Sequence, residues 1–185
     1  MGKQLSELDE TLIQFIKNQK MFFVGTAGVD GRVNVSPKGL DSLRILDSRK
    51  LVWVNYTGSG NETAAHILES NRMTLMFCAF EGAPNIVRLY GKAQMIYPRD
   101  SEWSGLIELF PPVPGSRQIF SMDIDSVATS CGYSVPKMDF VEERDTLEKW
   151  AEKKGPDGVE QYWHEHNVKS IDGRPTNIFS EKEPS

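Results

Sequence analysis

Cysteine and histidine are scarce in this 185-residue chain, with two of the former and three of the latter, and no apolar run approaches the ~20 residues that span a bilayer. Cys78 lies inside an apolar run and Cys131 in a glycine-containing loop, so two isolated thiols fit the spacing better than a shared disulfide. His164-Glu165-His166 is a poor metal motif, because adjacent side chains on a helix diverge and no third ligand is specified. Positive charge is also short: 21 basic against 26 acidic side chains give a net charge of -5, with no basic run to lie along a phosphate backbone. Nucleic acid is therefore not expected as a main partner. The start, Met1 to Thr11, is polar and acidic and lacks an apolar signal core, which makes a cytoplasmic location the expectation. No internal repeat and no low-complexity linker divides the chain. One domain over residues 1–185 follows, with a helical C-terminal extension from about residue 137.

What is present is a series of short apolar and alternating segments. Met21 to Thr26 and Arg32 to Ser36 flank a Gly-Val-Asp-Gly turn and read as a hairpin. In its second strand the alternation places Val33 and Val35 toward the core and Arg32, Asn34 and Ser36 on the other face. Further strands are expected at Lys50 to Tyr56, Arg72 to Phe80, Val87 to Ile96 and Gln118 to Ala128. Helical spacing marks Ser6 to Asn18, with Ser6 and Asp9 as a capping pair, and Glu62 to Ser70. Ser101 to Leu109, Glu142 to Lys154 and Val159 to His166 are weaker helical candidates. About six strands with short connections predict a mainly β fold, a closed or partly closed antiparallel barrel with peripheral helices.

The polar residues concentrate between Arg32 and Thr63. Arg32, Asn34, Ser36 and Lys38 lie on one strand edge, and Asn55, Tyr56, Thr57, Ser59, Asn61 and Thr63 follow on the next strand and turn. A helix starting near Asn61 offers unpaired backbone N–H groups suited to a phosphate, and Thr and Asn side chains add to them. Lys38 supplies a point charge, and Arg32 or Arg88 a directional fork of donors. The same residues also read as solvated strand positions and a turn with a helix cap, and Tyr56 as a core or interface aromatic. His66, on the apolar side of its helix, is expected to be structural, and Cys131 an unreactive loop thiol.

The runs GRVNVSPKG, LVWVNYTGSGNETAAHILESNRMTLMF and VRLYGKA, in this order, resemble the flavin-binding split barrel of the pyridoxamine 5'-phosphate oxidase-related proteins. The resemblance covers roughly Leu8 to Ala128, and SCGYSVP is similar to smaller relatives. It implies an antiparallel split β-barrel that binds FMN as a homodimer, with the flavin sites at the subunit interface. It also implies flavin contacts from Asn34, Val35, Ser36 and Lys38, from Asn55, Tyr56 and Thr57, and phosphate contacts from Asn61 and Thr63. The backbone of Val35 and Ser36 is then placed along the polar edge of the ring.

Two departures separate the chain from the true oxidases of that family. Those place basic residues at the start of the phosphate helix, where this chain has Asn61-Glu62-Thr63, and they end in an arginine-rich segment where this chain has only Arg174. The expectation is an FMN-dependent oxidoreductase of an unknown small molecule rather than a pyridoxamine phosphate oxidase. Two alternatives stay open: a noncatalytic flavin-binding or flavin-sensing protein, and a barrel that binds other proteins and keeps a vestigial pocket.

Overall fold

The computed structural model describes residues 2–179. Its strands are β1 (Gln4–Leu5), β2 (Phe22–Ala27), β3 (Val33–Lys38), β4 (Leu43–Asp47), β5 (Lys50–Tyr56), β6 (Arg72–Cys78), β7 (Ile86–Ile96) and β8 (Ser116–Ser130). Its helices are α1 (Glu10–Asn18), α2 (Glu62–Ser70), α3 (Trp103–Ile107) and α4 (Thr146–His166). The strands form one antiparallel sheet in the order β3-β2-β6-β7-β8-β5-β4, with β1 added on β8. Mainly antiparallel sheet with helices at its periphery is the architecture expected of a split β-barrel.

The central strands are covered and the end strands are not. β5, buried along most of its length, sends Leu51 and Trp53 into the main core, where Trp53 stacks on Phe120 at 4.6 Å and Phe22 stacks on Phe77 at 5.6 Å. Ring pairs of this kind combine large buried area with a preferred geometry. Val52 and Val54 face a second cluster with Ile96, Phe110 and Ile119, against which α3 packs Trp103, Leu106 and Ile107. α1 closes the main core with Leu12 and Ile16 at helical spacing.

Several boundaries differ from the sequence expectation. α1 begins at Glu10 and is capped by Asp9, whose carboxylate accepts from the Leu12 N–H at 2.8 Å; Ser6 lies before the helix. β1 and β4 are additional strands, too short and too mixed in polarity to carry a visible period. The two C-terminal helical candidates are a single run, α4, broken where Gly155 adopts φ 69° ahead of Pro156. The orientation of β3 is reversed: Val33 and Val35 are 73% and 65% exposed, and Asn34, Ser36 and Lys38 turn inward. The cause is position. β3 ends the sheet with β2 as its only strand neighbour, and its inner face borders a polar cleft rather than the apolar core. Among the described residues no helix is long and apolar enough to cross a membrane.

Candidate functional site

A cleft of about 860 Å³ opens where β3, the end of β5, the turn 57–61 and the start of α2 converge on the beginning of β8. Its far side is closed by α4 and the chain that follows, through Leu147, His166, Lys169, Ser170 and Ile171. This is within the usual size of a small-molecule or cofactor site.

β3 contributes alternate residues, as a period-2 strand must. Asn34 Nδ2 donates a long bond, 3.4 Å, to the Thr63 hydroxyl. Ser36 Oγ is buried without a partner. Lys38 Nζ donates to Asn55 Oδ1 at 3.3 Å and sits 5.3 Å from the centre of the Trp53 ring. Burial, reinforced by the nearby Arg117 guanidinium, lowers the Lys38 ammonium from 10.5 to about 8. Burial also pushes the Tyr56 phenol up to about 12, with Asp41 adding to the effect, and its hydroxyl has no hydrogen-bond partner.

The turn before α2 is held from below and behind. Thr57 Oγ1 donates to the Gly115 carbonyl at 2.8 Å and accepts from Trp163 Nε1 at 2.8 Å. Asn61 Oδ1 accepts from Gln118 Nε2 at 2.6 Å, and Asn61 Nδ2 donates to the Asn167 carbonyl at 3.5 Å. Asn61 is the N-cap of α2 by position but makes no side-chain cap bond. Its side chain and that of Thr57 therefore shape the turn. The groups left to face a ligand are the unpaired N–H groups of the first turn of α2 and the Thr63 hydroxyl. Glu62 is turned aside, its carboxylate accepting from the Ile171 N–H at 2.9 and 3.1 Å.

The remaining residues expected at the site are more dispersed. Arg32 lies at the rim and forms an ion pair with Asp172. Val35 points its side chain out of the cleft, leaving only its backbone in the wall. Arg88 is in β7, outside the cleft, with Nη1 on Ser130 Oγ at 3.1 Å. Arg174, the one basic residue of the 172–175 turn, is held by Asp30 and Glu69. His66 is buried with Nδ1 3.1 Å from the Thr26 hydroxyl, a structural pairing.

Two residues absent from the sequence reading organise the floor. Arg117, 2% exposed, donates from Nη1 to the Gly60 carbonyl at 3.0 Å and to Asn167 Oδ1 at 2.5 Å, while its Nε is unpartnered. Asn167, fully buried, also donates to the Gly58 carbonyl at 3.0 Å and accepts on its own carbonyl from Thr176 Oγ1 at 2.6 Å. The only hint of Arg117 in the sequence is a cation directly after the Pro111 to Gly115 turn, and nothing local marks Asn167.

A split barrel with a polar, cation-lined cleft beside a helix N-terminus is the class these observations define. Residues 8–131 match the pyridoxamine 5'-phosphate oxidase family profile. The pyridoxamine 5'-phosphate oxidase family protein ustO of Aspergillus flavus is 34% identical over 186 residues, covering 91% of this chain and 75% of that protein. The chain belongs to the pyridoxamine 5'-phosphate oxidase family. The fold is similar to HupZ of Group A Streptococcus, with a TM-score of 0.54 and 16% identity over 66% of this chain and 98% of that one. A pyridoxamine 5'-phosphate oxidase candidate from Lactobacillus delbrueckii gives a TM-score of 0.53 and 21% identity, over 66% and 94% of the two chains.

Proposed function

We propose that the cleft binds FMN and that the protein is an FMN-dependent oxidoreductase of a small molecule, working as a homodimer, with a substrate other than pyridoxamine phosphate. The observation that carries this reading is a set of unsatisfied polar groups around one cleft in a chain of this family. Ser36 Oγ, Tyr56 Oη and Arg117 Nε are buried without partners, and the first turn of α2 adds unpaired N–H groups. Buried polar atoms without partners are rare and costly in folded proteins, so several lining one cleft call for a polar ligand.

These residues fit the group. The N–H groups of α2 and the Thr63 hydroxyl suit its phosphate, and Asn34, Ser36, Lys38 and the backbone of Val35 suit the polar edge of the ring. Bound FMN would supply hydride or single-electron transfer. The chain's part is to hold and orient the cofactor, exclude water and keep a cation, Lys38, in the wall. Arg174 is engaged by two carboxylates, so the turn 172–175 offers no free guanidinium for a substrate phosphate, which argues against pyridoxamine phosphate.

A noncatalytic flavin-binding role is the second reading. It is favoured by one feature: Glu62, the one carboxylate among the described lining residues, is bound to backbone and leaves no free general base of that type.

The absorption spectrum of the gently purified chain tests the cofactor. Bands of an oxidised flavin are expected, with release and mass identification giving about one FMN per chain. A colourless protein that also fails to bind added FMN overturns the reading and favours a protein-binding barrel. Turnover with reduced nicotinamide then separates enzyme from binding protein.

A further inference from the structure

The start of α2 lacks the basic residues that would neutralise a phosphate there, yet the fold brings a cation to that spot from elsewhere. Arg117 leaves β8 beneath the turn and bonds the Gly60 carbonyl, one residue before the N-cap Asn61. Its guanidinium is 2% exposed and meets two neutral acceptors and no carboxylate. Lys38 is its cationic neighbour, bonded to the neutral amide of Asn55. Four Lys and Arg residues and a single carboxylate line the cleft, and that carboxylate, Glu62, is held by the Ile171 N–H.

Two largely buried cations without an acid between them are costly to keep charged, and the cost is relieved by an anion placed against both. Arg117 retains an unpartnered Nε for it, and the first turn of α2 presents N–H groups from the adjoining side. We propose that Arg117, with Lys38, forms an oxyanion anchor at the floor of the cleft that takes a phosphate or carboxylate group. The anchor deepens the flavin reading and rests on it for the ligand that fills the rest of the cleft. Asn167 is a positioning residue for it, fixing the Arg117 fork against the Gly58 and Gly60 carbonyls.

Inorganic phosphate is the probe, titrated calorimetrically into the full chain at ionic strength held constant with chloride. Phosphate is expected to bind wild type, and Arg117→Gln and Lys38→Met to weaken that binding about tenfold or more, as loss of a charge-assisted bond implies. Circular dichroism checks folding. If Arg117→Gln does not fold, Lys38→Met carries the test, since its one hydrogen bond is to a side-chain amide. Phosphate binding no better than chloride, or bound equally by both folded variants, overturns the anchor.

Flavin binding identifies the source of the anion. If it is the FMN phosphate, FMN binds more tightly than riboflavin and Arg117→Gln narrows that gap about tenfold. If it belongs to a separate substrate, phosphate still binds protein saturated with FMN; either result supports the anchor. Phosphate binding without any flavin binding overturns the flavin reading alone. Flavin binding with wild-type phosphate affinity in both variants overturns the anchor alone.

Discussion

Lys38 carries a cost that makes its role measurable. Its ammonium is lowered from 10.5 to about 8, first by burial and then by Arg117, a displacement worth at most on the order of 3 kcal/mol. Between about pH 8 and 10.5 the ligand-free native chain has released this proton and the unfolded chain retains it. The unfolded state therefore binds more protons in that window, and stability from this group rises with pH across it. Arg117, lowered to about 10, stays charged through most of the range. Urea denaturation at pH 7, 8.5 and 10 is expected to show Lys38→Met more stable than wild type at pH 7, with the difference shrinking toward pH 10. Parallel pH profiles for the two proteins would show that Lys38 is solvated as an ordinary surface lysine. The sequence placed Lys38 at the site because it follows an alternating strand. Arg117 was invisible, because its burial and its missing counter-charge come from contacts 50 and 57 residues away in the chain.

The sheet was legible wherever a strand is covered on at least one face by apolar packing. β5, β6, β7 and β8 each show a long apolar or alternating pattern, and each is paired on both sides. β3 shows why period is not orientation. Its valines alternate as a core strand's would, but the inner face belongs to a ligand cleft, so the polar set turns inward. The C-terminal extension was legible as helix and not as part of the site. Its link is the buried Asn167, which ties the end of α4 to the Thr57–Asn61 turn through Arg117, Gly58 and Asn61. Asn167→Ala leaves the Gly58 carbonyl and one Arg117 N–H without partners, so a loss of about 2–4 kcal/mol is expected in chemical denaturation. The variant should also lose FMN affinity, because the turn that presents the α2 N–H groups is no longer fixed. A near-neutral effect on both would mean that the extension only packs beside the cleft.

At the scale of the molecule the exposed apolar residues have a pattern. Val33 and Val35 project from an end strand of the sheet at the border of the cleft, and Val29 in the preceding hairpin is 78% exposed. An uncovered end strand with an apolar face is a liability in a free monomer and an asset in a subunit contact. Arg88 lies outside the cleft of its own chain, so a flavin contact by Arg88 requires a cleft contributed by a second copy. Homodimerisation through the β3 side accounts for both facts. Sedimentation should give twice the 20.9 kDa of one chain. Replacing Val33 and Val35 together by Lys should yield a monomer with an unchanged circular dichroism spectrum, since neither side chain enters the core. FMN affinity should fall about tenfold or more with it, the loss of one or more polar contacts from the second subunit. A monomeric wild type overturns the dimer outright. A double variant that remains dimeric moves the contact to another face, and a monomeric variant with full FMN affinity shows that each chain holds its cofactor alone.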